Sequence, residues 1–192
     1  TEGARAIVDT LFGKYNPSGK LPMSFPYCVG QVPVHYNEYS TGRPHIEGKD
    51  KDRFRSKYLD IPNEPLYPFG YGLSYTTYSY SDIHLSSNQM SRDGSIKATV
   101  TVTNTGTRDG DEIVQLYIHD KVASISRPVR ELKGFKRIHL NAGESKDVSF
   151  DITPDLLKFY DANLKEVLEP GQFDLMIGAS SINNKTTLFT VY

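Results

Sequence analysis

Ile96, Ala98, Val100 and Val102 alternate strictly with Lys97, Thr99, Thr101 and Thr103. Successive side chains of a β-strand point to opposite faces, so this run predicts a strand with one apolar and one polar face. A slip of one residue would turn the whole apolar set outward, which fixes the register of its neighbours. The apolar face also demands a second layer, because an amphipathic sheet is stable only when packed against another element.

That second layer is present in the same sequence. Val114, Leu116 and Ile118 form another alternating set, and Asn104-Thr105-Gly106 with Asp109-Gly110-Asp111 supply the reversal, since Gly and Asn tolerate turn backbones. Further strands are predicted at Val129 to Leu140, at Val148-Phe150-Ile152, at Phe173-Leu175-Ile177 and at Leu188 to Val191, with another around Tyr78 to Leu85. Asn141-Ala142-Gly143-Glu144 and Glu169-Pro170-Gly171-Gln172 are the turns between them. About seven strands in roughly 115 residues have the number and spacing of an immunoglobulin-like β-sandwich.

The beginning of the chain is of another kind. Ile7, Val8, Leu11 and Phe12 fall at helical spacing from Ala4 to Phe12, and Gly13 follows where a helix end favours positive φ. Asn16-Pro17-Ser18-Gly19 makes a turn, and Leu21 to Pro26 reads as a short extended piece that its prolines confine to an edge or terminus. One helix and one strand cannot bury both their apolar faces, so this part is expected to be the remnant of an α/β domain. The chain also lacks an initiator Met and an apolar signal region, and is expected to start inside a longer precursor. From Tyr27 to about Tyr75 neither period is sustained. Pro33, Pro44, Pro62, Pro65 and Pro68, many tyrosines and the charged run Lys49 to Arg53 mark a long irregular linker, with the charges read as a solvated loop.

Composition narrows the partners. The 22 Lys and Arg residues nearly balance the 23 Asp and Glu residues, leaving a formal charge of −1 and no basic footprint for nucleic acid or an anionic membrane. Cys28 is the only cysteine, so neither an internal disulfide nor a cysteine-rich zinc site is available. No apolar run approaches the roughly 20 residues that span a bilayer.

Chemistry-bearing motifs occur in the sequence only as fragments. Asp109, Asp111 and Glu112 cluster beside Gly110 as a partial calcium loop, for which a plain turn is the better reading. His35, His45, His84, His119 and His139 never fall at the i, i+4 spacing of a helical zinc site. Gly72 to Thr76 begins like a nucleophile elbow but has Thr76 in place of its second glycine. Gly42 to Lys49 imitates a phosphate loop with the wrong glycine spacing, and Asp50 stands where Ser or Thr is needed. Asn184-Lys185-Thr186 is a formal glycosylation sequon. Tyr36, Tyr39, Tyr58, Tyr67, Phe69, Tyr71, Tyr75, Tyr78 and Tyr80 are dense enough to stack on sugar faces, although packing anchors are the simpler explanation. No carboxylate pair stands on a frame that suggests glycoside cleavage.

Several of these segments also carry a family resemblance. Leu11-Phe12-Gly13-Lys14-Tyr15-Asn16-Pro17-Ser18-Gly19-Lys20-Leu21-Pro22 resembles the closing segment of the second, α/β sandwich domain of family 3 glycoside hydrolases. Pro68-Phe69-Gly70-Tyr71-Gly72-Leu73-Ser74-Tyr75 is similar to the entry into that family's third domain, a fibronectin type III-like sandwich. Val102 to Gly106, Gln115-Leu116-Tyr117, Arg127 to Phe135 and Glu169-Pro170-Gly171 resemble that domain's own sequence. The resemblance spans nearly the whole chain in order.

It implies a mainly β fold, a fibronectin type III-like sandwich over 76–192, preceded by an αβ remnant over 1–34 and a linker over 35–75. It further implies a parent enzyme, periplasmic or secreted, that hydrolyses β-linked glucosides or related glycosides with retention through a covalent intermediate. In the family the nucleophile is an Asp of an N-terminal barrel and the acid/base is usually a Glu upstream of this segment. Neither motif has a counterpart in these residues, so no catalytic, cofactor-binding or metal residue is assigned. The expected role is an accessory one beside upstream catalytic domains, with Arg127-Pro128 as an interdomain contact. The alternative is a carbohydrate-binding or adhesion module without hydrolase activity.

Overall fold

The strand anticipated from strict alternation is β4 (Ile96–Asn104) of the computed structural model, which describes residues 2–46 and 53–192. Its Ile96, Ala98, Val100 and Val102 are buried while Thr99, Thr101 and Thr103 face outward. β1 (Tyr78–Tyr80) and β2 (His84–Leu85) pair antiparallel with β4, as does β7 (Ser145–Ile152). On the outer face the threonines of β4 meet polar partners on β7: Thr99 with Ser149 at 2.8 Å, Thr101 with Asp147 at 2.7 Å and Thr103 with Ser145 at 2.7 Å. Such cross-strand pairs hold the register from the wet side as apolar packing holds it from the dry side.

The second sheet has the order β3-β11-β10-β5-β6. Its members are β3 (Gln89–Met90), β11 (Asn184–Val191), β10 (Gly171–Gly178), β5 (Gly110–Asp120) and β6 (Glu131–Leu140). All neighbours are antiparallel except β3 and β11. Between the sheets lie Val100, Val148, Phe150 and Ile152 from the first, and Leu116, Leu175, Ile177, Phe173 and Phe189 from the second. The rings of Phe173 and Phe189 stack with centroids 5.3 Å apart. Each fully buried side chain of this size contributes about 1.5–3 kcal/mol relative to exposure, which makes this layer the main source of stability.

Some elements differ from the sequence-based expectation. The single strand expected over Tyr78 to Leu85 is divided into β1 and β2, because the Ser81 hydroxyl accepts the Thr101 N–H at 2.9 Å and so replaces a ladder acceptor. The strand from Val129 starts two residues later, at Glu131. β3 and the hairpin of β8 (Phe159–Tyr160) and β9 (Glu166–Val167) were not anticipated, and neither was the short helix α2 (Pro154–Leu157). Strands of two residues have no period to read. The β8–β9 turn is held by Asp161, whose carboxylate accepts the N–H groups of Asn163 and Lys165.

At the start, α1 (Ala4–Leu11) forms as predicted, and Gly13 takes φ +70° just beyond it. Leu21 to Pro26 runs beside the linker: Phe25 and Tyr67 exchange backbone hydrogen bonds, and the Leu21 N–H donates to the Tyr71 carbonyl at 2.8 Å. The linker itself is irregular, touching the approach to β6 through the isolated bridge of Tyr39 with Pro128 and itself through that of Pro44 with Ser56. Lys49 to Asp52 of the expected charged loop lie outside the described residues.

The linker explains one departure from simple alternation. In β5 the consecutive residues Val114 to Ile118 are all buried. Val114, Leu116 and Ile118 face the sandwich interior, whereas Gln115 and Tyr117 face the opposite side. That outer side is covered by Tyr36 and Phe69, whose rings stack at 4.1 Å and stand edge-on to Tyr117 at 6.0 and 6.4 Å.

Candidate functional site

Where the first residues, the linker exit and the sandwich meet, the polar groups form a fixed joint. Asn16 is its hub: the side-chain oxygen accepts from the Ser74 hydroxyl at 2.9 Å and the Tyr75 N–H at 2.8 Å, while its amide donates to the Asp109 carbonyl at 3.0 Å. The Arg108 guanidinium donates to the Gly13 carbonyl and lies over the Tyr75 ring, and the Tyr75 hydroxyl donates to the Thr10 carbonyl at 2.8 Å. Asn104 is fully buried beneath: its amide donates to the Arg108 and Leu140 carbonyls, and its oxygen accepts from Thr76 at 2.6 Å.

The strongest electrostatic feature of the joint is Glu112. Its side chain, 4% exposed, receives a hydrogen bond from Lys20 Nζ at 3.2 Å and one from the Tyr80 hydroxyl at 2.9 Å. Burial pushes the carboxyl up, against the opposing pull of the Lys20 ammonium and the Tyr80 bond. Burial beside this carboxylate likewise raises the Tyr80 phenol. A perturbed buried carboxylate is a common mark of an active site. Here both partners tie together segments far apart in sequence, which is a structural use of the charge.

The motif fragments fall into place individually. Asp109 and Asp111 both face His139, at 3.9 and 2.7 Å, but strand alternation sends Glu112 inward, so the three carboxylates do not converge. Asp111 pairs with Arg137 and, at 2.7 Å, with His139 Nδ1. Burial raises its carboxyl, but the bonds from His139 and Arg137 outweigh that and hold it below the usual range. His119 stands 3.4 Å from Asp174, and His84 lies exposed in β2. Among the described residues no three His, Cys, Asp or Glu side chains form a metal-sized group. Ser74 and Thr76 of the elbow-like run are consumed by Asn16 and Asn104. The phosphate-loop imitation extends past Ile46 into residues outside those described. Asn184, the sequon residue, donates its amide to the Ser180 and Ser181 carbonyls, which engages the nitrogen that a glycan would need.

Sequence reasoning overlooked a cleft of about 520 Å³ between the linker and the start of β6. Tyr36, Glu38 and Tyr39 form one side, Tyr58, Asn63 and Glu64 another, and Arg130 the floor. Arg130 donates to the Ser181 carbonyl; burial lowers its pKa and the Glu38 carboxylate opposes that shift. Pro128 is bridged to Tyr39, so the Arg127-Pro128 turn does meet the linker, while Arg127 itself pairs with Glu131 at 2.6 Å. Glu38 and Glu64 bring two carboxylates to one cleft, but both are exposed. A glycosidase acid is made by burying one of the pair in apolar surroundings. The tyrosine density noted in the linker touched its walls at Tyr36, Tyr39 and Tyr58, but nothing in the linear sequence placed them in a cleft, because the lining comes from five separate stretches.

Comparison with known proteins matches this geometry. Residues 1–75 match the Glycosyl hydrolase family 3 C-terminal domain, and residues 112–181 match the Fibronectin type III-like domain. A periplasmic β-glucosidase of Salmonella typhimurium is 53% identical over 98% of this chain, and a putative β-xylosidase of Formosa agariphila is 43% identical over 98%. The crystal structure of a Listeria innocua β-glucosidase in complex with glucose superposes over 100% of the chain with a TM-score of 0.94 at 44% identity. The chain spans about a quarter of the length of these relatives, 25% of each of the first two and 26% of the third. By sequence and fold the chain belongs to the family 3 glycoside hydrolases, of which it is the C-terminal region.

Proposed function

We propose that this chain is the non-catalytic, accessory C-terminal part of a retaining glycoside hydrolase, which cleaves terminal β-D-glucosides or related β-glycosides and works in the periplasm or outside the cell. The chemistry belongs to upstream catalytic domains of the same polypeptide, and none of the residues described above is given a catalytic, cofactor or metal role. Its parts are an α/β remnant over 1–34, a linker over 35–75 and a fibronectin type III-like sandwich over 76–192.

The joint carries this reading. Lys20 and Glu112 form an ion pair whose side chains are only 15% and 4% exposed, so the remnant is fixed to the sandwich by a contact that is costly to separate. On the other side α1 and the Phe12 that caps it leave Ile7, Leu11 and Phe12 61%, 71% and 78% exposed. An apolar helix face fixed rigidly to a sandwich is what a brace between domains requires. The names of the relatives, a periplasmic β-glucosidase and a putative β-xylosidase, support the substrate class and the compartment.

Hydrolysis of a chromogenic aryl β-glucoside and an aryl β-xyloside, by this chain and by a longer protein that includes it, tests the proposal. Turnover only by the longer protein is expected. Clear turnover by the 192 residues alone would overturn it.

A further inference from the structure

The cleft at the linker takes no part in the joint, yet it is a constructed space. Gln31, 1% exposed, receives the Tyr27 N–H and donates to the Pro62 and Glu64 carbonyls, which fixes the wall that carries Asn63. The Tyr58 N–H donates to the Asn63 side chain at 2.9 Å. The Val129 N–H donates to the Glu38 carbonyl at 2.8 Å, seating the opposite wall on the start of β6. The Ser56 N–H donates to the Arg43 carbonyl at 2.9 Å and ties down the approach to Tyr58.

The walls are thus held by backbone groups, and the side chains between them are left over. The side chains of His35, Glu38 and Lys57 line the cleft without a hydrogen bond or close ion pair among the described residues, the Glu38 carboxylate acting on Arg130 through its charge alone. Tyr39 and Tyr58 are 58% and 40% exposed, unlike Tyr117 beneath the linker, which is fully buried as a packing anchor.

These contents select a ligand class. Glu38 and Glu64 are offset by Arg130 and Lys57, so the cleft has no single sign of charge with which to prefer an anion or a cation. Exposed phenol faces beside carboxylate, amide and ammonium groups suit a molecule with an apolar ring face and a rim of hydroxyls. We infer that the cleft between the linker and β6 is a saccharide-binding site, with Tyr39 and Tyr58 as stacking faces and Glu38, Lys57 and Asn63 as hydroxyl partners. The proposed function contributes only the expectation that the sugar is a β-linked glucoside or xyloside.

The test is an NMR titration of the isotope-labelled 192-residue chain with cellobiose, with xylobiose and with inorganic phosphate. Saturable shifts are expected at the amides of 35–39, 57–58 and 63 with at least one disaccharide and not with phosphate, with a Kd on the order of millimolar. Tyr39→Ala and Tyr58→Ala should each weaken binding roughly tenfold, while Tyr39→Phe, which keeps the ring, should bind within about twofold of the parent. Thermal unfolding of each variant checks that the fold persists. The inference is overturned if neither disaccharide gives saturable shifts there, if only phosphate does, or if the double tyrosine variant binds as well as the parent. Because no turnover is measured, a negative result leaves the hydrolase reading standing, and activity in the isolated chain would leave this one standing.

Discussion

Gly70→Ala should be among the most damaging small substitutions in this chain. Gly70 has φ +79°, a left-handed conformation that costs an L-residue about 1–2 kcal/mol. A methyl group built there would lie 2.0 Å from Gln115 Oε1, with the Gln115 Cδ and Nε2 atoms at 2.9 and 3.0 Å. Gln115 is 3% exposed and has nowhere to retreat: its amide donates to the Gly70 carbonyl at 3.1 Å and the Ala179 carbonyl at 2.7 Å, and its oxygen accepts the Tyr117 hydroxyl. Moving it leaves buried polar groups unsatisfied, at about 1–3 kcal/mol each. A total loss of roughly 3–5 kcal/mol follows, a large share of the stability of an ordinary domain. Urea unfolding of the parent and variant chains measures it directly. Gln115→Ala in the same background removes the clashing atoms, so the pair should be less damaging than the sum of the single changes by at least about 1 kcal/mol. A loss below about 1 kcal/mol for Gly70→Ala, or simple additivity of the two changes, would refute the argument.

The joint yields two further expectations. Lys20→Met strands the Glu112 carboxylate in its buried site, and urea unfolding near pH 7 should show a loss of about 3–5 kcal/mol that shrinks near pH 4; equal losses at both would refute the pairing. Glu112 itself has a folded pKa above its ordinary value of 4.5, so the folded state holds the proton more tightly and ionisation costs stability. Its effect is absent below the unfolded pKa and grows as pH rises from there toward the folded one, so Glu112→Gln should gain on the parent as pH rises above the ordinary carboxyl value of 4.5, and parallel pH–stability curves would exclude this. Ile152→Ala, at a fully buried position between the sheets, should cost about 2–5 kcal/mol by the same assay, and a neutral result would place Ile152 outside the core. Leu11→Ser with Phe12→Ser should change the stability of the isolated chain by less than about 0.5 kcal/mol but lower that of a longer protein containing it. Equal effects in both would count against α1 as a brace.

The sequence alone determined the sandwich. Strict alternation in Ile96–Thr103, and the apolar residues at every second position of Val114–Ile118 and Phe173–Ile177, encode the faces that meet, and that local property survives in the structure as the two facing layers of the core. The family resemblance was also legible, since the Leu11–Pro22 and Pro68–Tyr75 runs lie contiguous in the chain. Tertiary structure decided everything that depends on two distant segments meeting. Nothing in the letters around Glu112 says that Lys20 will neutralise it, that Gln115 will require a glycine at position 70, or that Tyr117 will be roofed by Tyr36 and Phe69. The strands β3, β8 and β9 were invisible for a related reason: two residues have no period, and their pairing is supplied by neighbours already in place. The linker cleft is the extreme case, built by side chains from stretches that carry no common pattern and become neighbours only when backbone hydrogen bonds seat an irregular segment on a finished sheet.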